Sequence, residues 1–384
     1  VEHRDLHKEY RRQSQMCIRD RVMHSFMAIG VVGVVWVLWG YSLAFGPDLG
    51  GMGIIGDLSW FGLAGVSATE AGPYADNMPH QLFMIFQAMF AIITPALITG
   101  AFAERMKFGA YLVFIVLWVT VVYAPVAHWV WGGGWLGDVG ALDFAGGTVV
   151  HINSGIAALA AALIVGKRLG FTGSATTPHN VPMVVLGAGL LWFGWFGFNA
   201  GSALAADGTA VNAFVVTNTA AAASVVTWVI VSWIVGKKPS VIGAATGAVA
   251  GLVAITPAAG FVGPMPALII GIGAGIICYL AVELLLKLNI DDALAVFGVH
   301  GIGGVWGALA TGLFVGIGFG ALEVGRGEQV LNQIIGIVAT LVWSFVATSV
   351  ILLAIKFTIG LRAEQSDEEA GLDQSIHGEE AYTS

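Results

Sequence analysis

Gly146-Gly147-Thr148-Val149-Val150-His151-Ile152-Asn153 and Phe297-Gly298-Val299-His300-Gly301-Ile302-Gly303-Gly304 are the stretches on which the fold turns. Each sets one imidazole among glycines and aliphatic residues, within a run long enough and apolar enough to cross a bilayer. An ionisable group is costly in that setting, so a membrane helix that keeps one marks a functional site by default. The two stretches lie in the fourth and ninth apolar spans, five apart, so their helices cross in opposite directions. That is the mark of an inverted repeat with its site between the halves. If each histidine helix closes its own half, the second half holds five spans and the first only four. The pattern therefore predicts a helix missing at the start.

Working outward, the whole chain is as apolar as these two stretches. Of its 384 residues 57% are hydrophobic and 10% charged, with a mean hydropathy of +0.84. A water-soluble globule is excluded, and a bilayer is the solvent. A lipid-exposed segment must satisfy its own backbone, which leaves helix bundles and closed barrels, and long unbroken apolar runs favour helices. Runs of about 20 residues, the length that spans a bilayer, fall near 23–45, 79–103, 109–131, 145–166, 180–203, 211–235, 240–258, 263–286, 295–319 and 330–359. The fold expected is an all-α polytopic membrane protein of ten spans. Its 54 glycines suit close helix approach in lipid, and Gly271-Ile-Gly273-Ala-Gly275 is read in that way, with no nucleotide-binding loop.

Arg105, Lys107, Lys167, Arg168, Lys237, Lys238, Lys287, Lys356 and Arg362 fall on one side of this topology, and Arg326 alone on the other. The positive-inside rule makes the first side cytoplasmic, in a cell or plasma membrane. The formal charge of −8 is concentrated after Gly360 and describes a solvated cytoplasmic tail. Residues 1–21 are polar and have no apolar signal-peptide core. They read as a stretch foreign to the native gene, with a basic cytoplasmic tail as the alternative. The domains expected are thus 1–21, a transmembrane domain over 22–360 and a tail over 361–384. Cys17 and Cys278 support neither a disulfide framework nor a metal cluster.

The polar residues of the spans gather in depth order. His151 lies eight residues inside Asp143, about 12 Å along a helix, near the midplane. Trp131, Phe198 and Ser202 fall toward the outer ends of their spans and Phe90 lies deeper. An indole offers a cation a π face, a hydroxyl accepts a hydrogen bond, and a carboxylate stabilises positive charge nearby. Deeper in, desolvation disfavours a protonated amine, and neutral imidazoles both donate and accept protons. A small cation that sheds its charge fits this order. The bland readings stand beside it: a histidine as a structural hydrogen bonder, Phe90 and Phe198 as packing, Trp131 as interfacial belt and Asp143 as a helix cap.

Several stretches resemble the Amt/Mep/Rh ammonium transporters, in family order: Phe102-Ala-Glu-Arg105, Ala141-Leu-Asp-Phe-Ala-Gly-Gly-Thr-Val-Val-His-Ile152, Pro178-His-Asn-Val-Pro182, Gly194-Trp-Phe-Gly-Phe-Asn-Ala-Gly-Ser202, Asp291-Asp292 with Phe297-Gly-Val-His-Gly301, and Gly360-Leu-Arg362. The resemblance implies an eleven-helix, five-plus-five inverted fold, here without its first helix, with one pore per subunit and a homotrimer. It implies an outer ammonium site at Trp131 and Ser202 with Phe86 or Phe90 in its wall. It further implies a gate of Phe90 and Phe198, a buried carboxylate at Asp143 needed for transport, and a twin-histidine pore at His151 and His300. Asn199 and Thr256 match positions near the pore. The tail motifs Gly371-Leu-Asp373, His377-Gly-Glu379 and Ala381-Tyr382 match the bacterial type, which implies a regulatory tail and a PII-type partner. Catalysis, cofactors, metals and nucleic acid are not expected. A haem protein is the competing redox reading, disfavoured because only two histidines lie deep and no Cys-x-x-Cys-His occurs. A sensor whose tail signals ammonium occupancy is the third.

Overall fold

The computed structural model describes residues 18–174, 178–236 and 238–378. Lys237 and residues 1–17, most of the stretch expected to be foreign, lie outside the described residues. All ten expected spans are helical. They are α1 (Ile18–Phe45), α2 (His80–Phe102), α3 (108–131), α4 (Gly147–Val165), α5 (Val181–Gly201), α6 (Gly208–Gly236), α7 (Val241–Ile255), α8 (Pro264–Lys287), α9 (Phe297–Phe314) and α10 (Arg326–Thr358). The described part of α1 begins at Ile18 and already includes Arg21, the last residue of the first expected segment. A short antiparallel pair, Ala71–Gly72 with Ala75–Pro79, leads into α2.

Local sequence sets several starts. Asn180 accepts from the Met183 amide at 3.0 Å ahead of Pro182, and Ser240 accepts from the Gly243 amide at 3.1 Å, so side-chain caps open α5 and α7. Gly166 at φ +90° stops α4. Helices α1, α3, α4 and α9 each contain a π turn, at Trp36–Gly40, Val119–Tyr123, Gly147–Ile152 and Phe297–Gly301. Such turns often mark functional sites, and here two of them carry His151 and His300.

Two apolar cores reflect the two halves. One joins α1 to α4 around Trp36, Tyr41, Phe114, Trp118 and Tyr123 and takes in Ile351 and Leu352 of α10. The other joins α5 to α9 around Trp195, Val253, Ile270 and Val299. Glycines set the spacing. A Cβ on Gly271 would strike the Ala220 backbone, and one on Gly275 would lie 2.8 Å from Thr227 Cβ, so α8 meets α6 backbone to backbone. Outward faces stay apolar, as with Phe193 at 75% exposure on α5. That is the surface a bilayer covers.

The connectors sort onto two faces. One gathers 46–79, 132–146, 202–207, 256–263 and 315–325, tied by Asn77 to the Leu204 carbonyl (2.9 Å), the Trp135 amide to Gly53 (3.1 Å) and the Phe144 amide to Pro257 (3.1 Å). The opposite face gathers 103–107, 166–174, 288–296 and the tail. There the Lys107 amide donates to Leu361 at 3.0 Å and the Ala363 amide to Arg105 at 2.8 Å.

The tail departs from the solvated chain its acidity suggests. It forms two short helices, Gln365–Ala370 and Leu372–Ser375, with Leu372 fully buried. Arg362 grips Glu368 through two nitrogens, at 2.6 and 2.8 Å. That pair lies within the tail; the tail meets the bundle where Asp373 accepts the Asp20 amide of α1 at 2.8 Å, beside the buried Leu372.

Candidate functional site

Gly146, at φ +112°, adopts a backbone closed to most L-residues and turns the chain so that Asp143 faces the start of α4. The Asp143 carboxylate then accepts four amides: Gly146 (2.8 Å) and Gly147 (2.7 Å) on Oδ1, Thr148 (2.7 Å) and Val149 (3.1 Å) on Oδ2. These are the donors a helix N-terminus leaves free, and the helix dipole adds to the attraction. Asp143 is therefore a full helix cap, one of the two readings its position allowed. Its main-chain carbonyl does a second job, accepting from Trp131 Nε1 at 2.8 Å. One residue thereby anchors both the indole at the mouth and the helix that carries His151.

Trp131 opens on a cavity of about 290 Å³ lined by Tyr74, Phe83, Gln87, Phe90, Val130, Phe144, Ser202 and Leu204. Ser202 donates to the Phe198 carbonyl at 2.8 Å, which spends its proton and leaves oxygen lone pairs. Beneath, the rings close up. Phe86 meets Phe90 edge-on at 5.0 Å, Phe90 meets Trp131 at 5.7 Å, and Phe90 meets Phe198 at 4.6 Å with a 47° tilt.

Behind Phe198 lies His151, its ring stacked on Trp195 at 5.3 Å and on Phe198 at 5.9 Å. Its Nδ1 faces His300 Nδ1 at 3.2 Å. Two facing Nδ1 atoms bond only when one carries the proton and the other the lone pair, so one proton lies between the two nitrogens. His151 Nε2 is buried without a partner. The close approach comes from glycine: a Cβ on Gly155 would run into the Gly301 backbone, and one on Gly304 would lie 2.9 Å from the Gly147 carbonyl. Helices α4 and α9 cross at backbone contact, and any side chain there would force the imidazoles apart.

Asn199 and Thr256 stand one layer back. Thr256 accepts from Trp195 Nε1 at 2.9 Å and so fixes the indole that backs His151, while Asn199 donates to Thr217 at 2.9 Å. Among the described residues, no three His, Cys, Asp or Glu side chains converge to hold a metal ion.

The sequence reading passed over three residues. Trp195 stacks on His151 yet sits in Trp192-Phe-Gly-Trp-Phe-Gly-Phe198, where each aromatic reads as packing. Gln87 lines the mouth cavity but is uncharged. Asp292 stands eight residues before His300, as Asp143 does before His151, and accepts from the Phe297 amide at 2.7 Å. That shared spacing was the available signal.

Asp292 adjoins a buried ionic knot. Asp291 takes Arg105 at 2.5 Å and Arg168 through both Nε and Nη2, the latter at 2.7 Å. Burial raises the Asp291 pKa, but the Arg168 hydrogen bonds and the Arg105 charge outweigh it and hold it below the usual carboxylate range. Burial lowers Arg105 to about 10, against the pull of Asp291. Burial likewise lifts Asp292 to about 6, despite its backbone donors. A carboxyl with a raised folded-state pKa stabilises the fold below its unfolded value and loses that contribution as pH rises through about 6. Asp292→Asn is accordingly expected to flatten the decline in thermal stability between about pH 4 and 6. Melting curves of both proteins in detergent check it, and parallel pH profiles would refute it.

A model of the Ammonium Transporter Family matches residues 9–382. The chain is 54% identical over 371 residues to an ammonium transporter of Bacillus subtilis, covering 95% of this chain and 90% of that protein. It is 47% identical to ammonium transporter Amt1 of Archaeoglobus fulgidus, covering 94% and 89%. The crystal structure of Saccharomyces cerevisiae Mep2 superposes with a TM-score of 0.83 at 40% identity, over 90% of this chain and 80% of that one. A structure named Sensor Amt Protein gives 0.85 at 33% identity, over 92% and 89%. With the capped histidine helices, the aromatic mouth and the matched length all in agreement, this chain is a multi-pass membrane protein of the ammonium transporter family.

Proposed function

We propose that the protein carries ammonium inward by taking the cation at the Trp131 cavity, stripping its proton near Phe90 and Phe198, and passing ammonia along His151 and His300 while the proton moves separately. The observation that carries this reading is the His151–His300 contact at 3.2 Å directly behind the phenyl pair. Phe90, Phe198 and Trp195 along the way there replace none of the water a cation sheds, and desolvation favours the neutral amine. Ser202 lone pairs and the faces of Trp131 and Phe90 suit the cation above that point. The Asp143 charge, held by four amides, stabilises positive charge below the mouth without giving up its place in the helix.

Orientation follows from charge. The face bearing Arg105, Arg168, Lys287 and Arg362 is cytoplasmic by the positive-inside rule, which puts the Trp131 cavity outside and the tail inside, in the plasma membrane. The family resemblance supports a homotrimer and a PII-type partner at the tail face. The docked tail and the likeness to a structure named Sensor Amt Protein favour a second role, in which occupancy is reported through the tail.

Electrodes coated with proteoliposomes of the wild-type protein test the main reading. Ammonium pulses are expected to produce an inward current that saturates with concentration. Ammonia flux of equal size with no charge movement would make the protein a gas channel on the same fold.

A further inference from the structure

The mouth cavity contains one polar group that nothing above employs. Gln87 is 7% exposed, lines the cavity, and has a carboxamide oxygen that is buried without a hydrogen-bond partner. A buried carbonyl left unpaired is costly, and native proteins rarely keep one without a reason. The other polar groups of the cavity are already engaged. Tyr74 turns its hydroxyl to the Phe45 and Gly132 carbonyls, at 2.6 and 3.2 Å. Ser202 has spent its proton on Phe198. Among the described residues, no Asp, Glu, Lys or Arg lines the cavity.

We propose that Gln87 is a ligand of the ammonium ion at the mouth, its carboxamide oxygen accepting one N–H of the cation while Ser202 accepts another. This rests on the transport reading given above. Phe83, Gln87 and Phe90 fall at i, i+4 and i+7 of α2, which puts them on one helix face. Gln87 is thus about one turn outward of Phe90, where the cation waits before the phenyl pair. The terminal torsion of a glutamine is broad and close to two-fold, so the oxygen turns toward the cavity when a cation arrives. A neutral acceptor has a specific merit here. It orders the N–H bonds of the cation without the tight hold of a carboxylate, which would oppose release of ammonia inward.

Ammonium titrations of the current on proteoliposome electrodes, with wild type, Gln87→Leu and Gln87→Glu, test the assignment. Loss of one hydrogen bond to a charged ligand predicts that Gln87→Leu raises the half-saturating ammonium concentration by about tenfold. The maximal current should stay within about twofold of wild type, because the bond holds the waiting cation and takes no part in the steps beyond the phenyl pair. Gln87→Glu keeps an acceptor of the same reach, so its half-saturation is expected at or below the wild-type value. A Gln87→Leu half-saturation within about twofold of wild type would overturn the ligand role. So would equal losses of current in both variants, which would make the position structural. A wild type with no ammonium current at all would remove the transport reading and the ligand role together, whereas a working wild type with an indifferent Gln87 removes the ligand role alone.

Discussion

Changing His151 and His300 together to leucine is expected to abolish the ammonium-driven current while leaving a folded membrane protein. The two rings meet at 3.2 Å and share one proton; leucines of similar bulk fill the same space but neither accept nor donate. Without a relay, charge has no path through the aromatic stack of Trp195 and Phe198 around His151. A loss of at least about 100-fold at saturating ammonium follows from removing both ends of a proton-transfer step, each worth about 10²-fold or more. Unchanged thermal melting separates the chemical loss from misfolding. Single replacements should fall between, since one ring still offers a donor or an acceptor. A double variant that carried the wild-type current would leave the histidines as packing, and the mechanism would have to be abandoned.

The second large effect belongs to Asp143. Asp143→Ala takes the acceptor from four amides at once. Each buried donor left bare costs roughly 1–3 kcal/mol, partly relieved by water entering from the cavity, so a loss on the order of 3 kcal/mol in stability is expected. Transport should fall further than stability alone explains. The residue also aims Trp131 through its carbonyl at 2.8 Å, and it starts the helix on which His151 rides. Asp143→Asn is the sharper probe, because its shape survives but its amide group meets amide donors on one side. It should lose most of the current and a smaller part of the stability. If Asp143→Asn transported like wild type, the negative charge would have no role and only the cap would remain.

Some of this was legible before any coordinates. The ten spans were readable because apolar length is a property of composition and resists local detail. His151 and His300 stood out because ionisable residues are rare in membrane helices. Asp143 carried two compatible readings, since a carboxylate ahead of a helix looks alike in sequence whether it caps or attracts a cation; four amide distances establish the cap, and the Asp143→Asn current tests the other. Trp195 was invisible in a stretch crowded with aromatics, where only a ring-to-ring distance shows which of them stacks on His151. Gln87 escaped for a different reason: attention fell on charges, and an amide in a span is polar without being ionisable. The mirrored aspartates were missed although their equal spacing was present in the letters. The π turns depend on how α4 and α9 press together, and no local propensity encodes that. Arg105, read as a loop charge that sets topology, turned out to be wholly buried and paired across the halves, a role set by residues 186 positions away.

Where α4 crosses α9, main chain meets main chain at Gly155 with Gly301 and at Gly304 with Gly147. Contacts of that kind have no slack to slide, so swinging one half of the protein against the other would demand repacking the very centre of the bundle. Rotation of a few phenyl rings disturbs fewer contacts than that repacking. If the proposed transport reading holds, this crossing is the fixed frame of the route, and opening it falls to side chains rather than to a swing of the two halves.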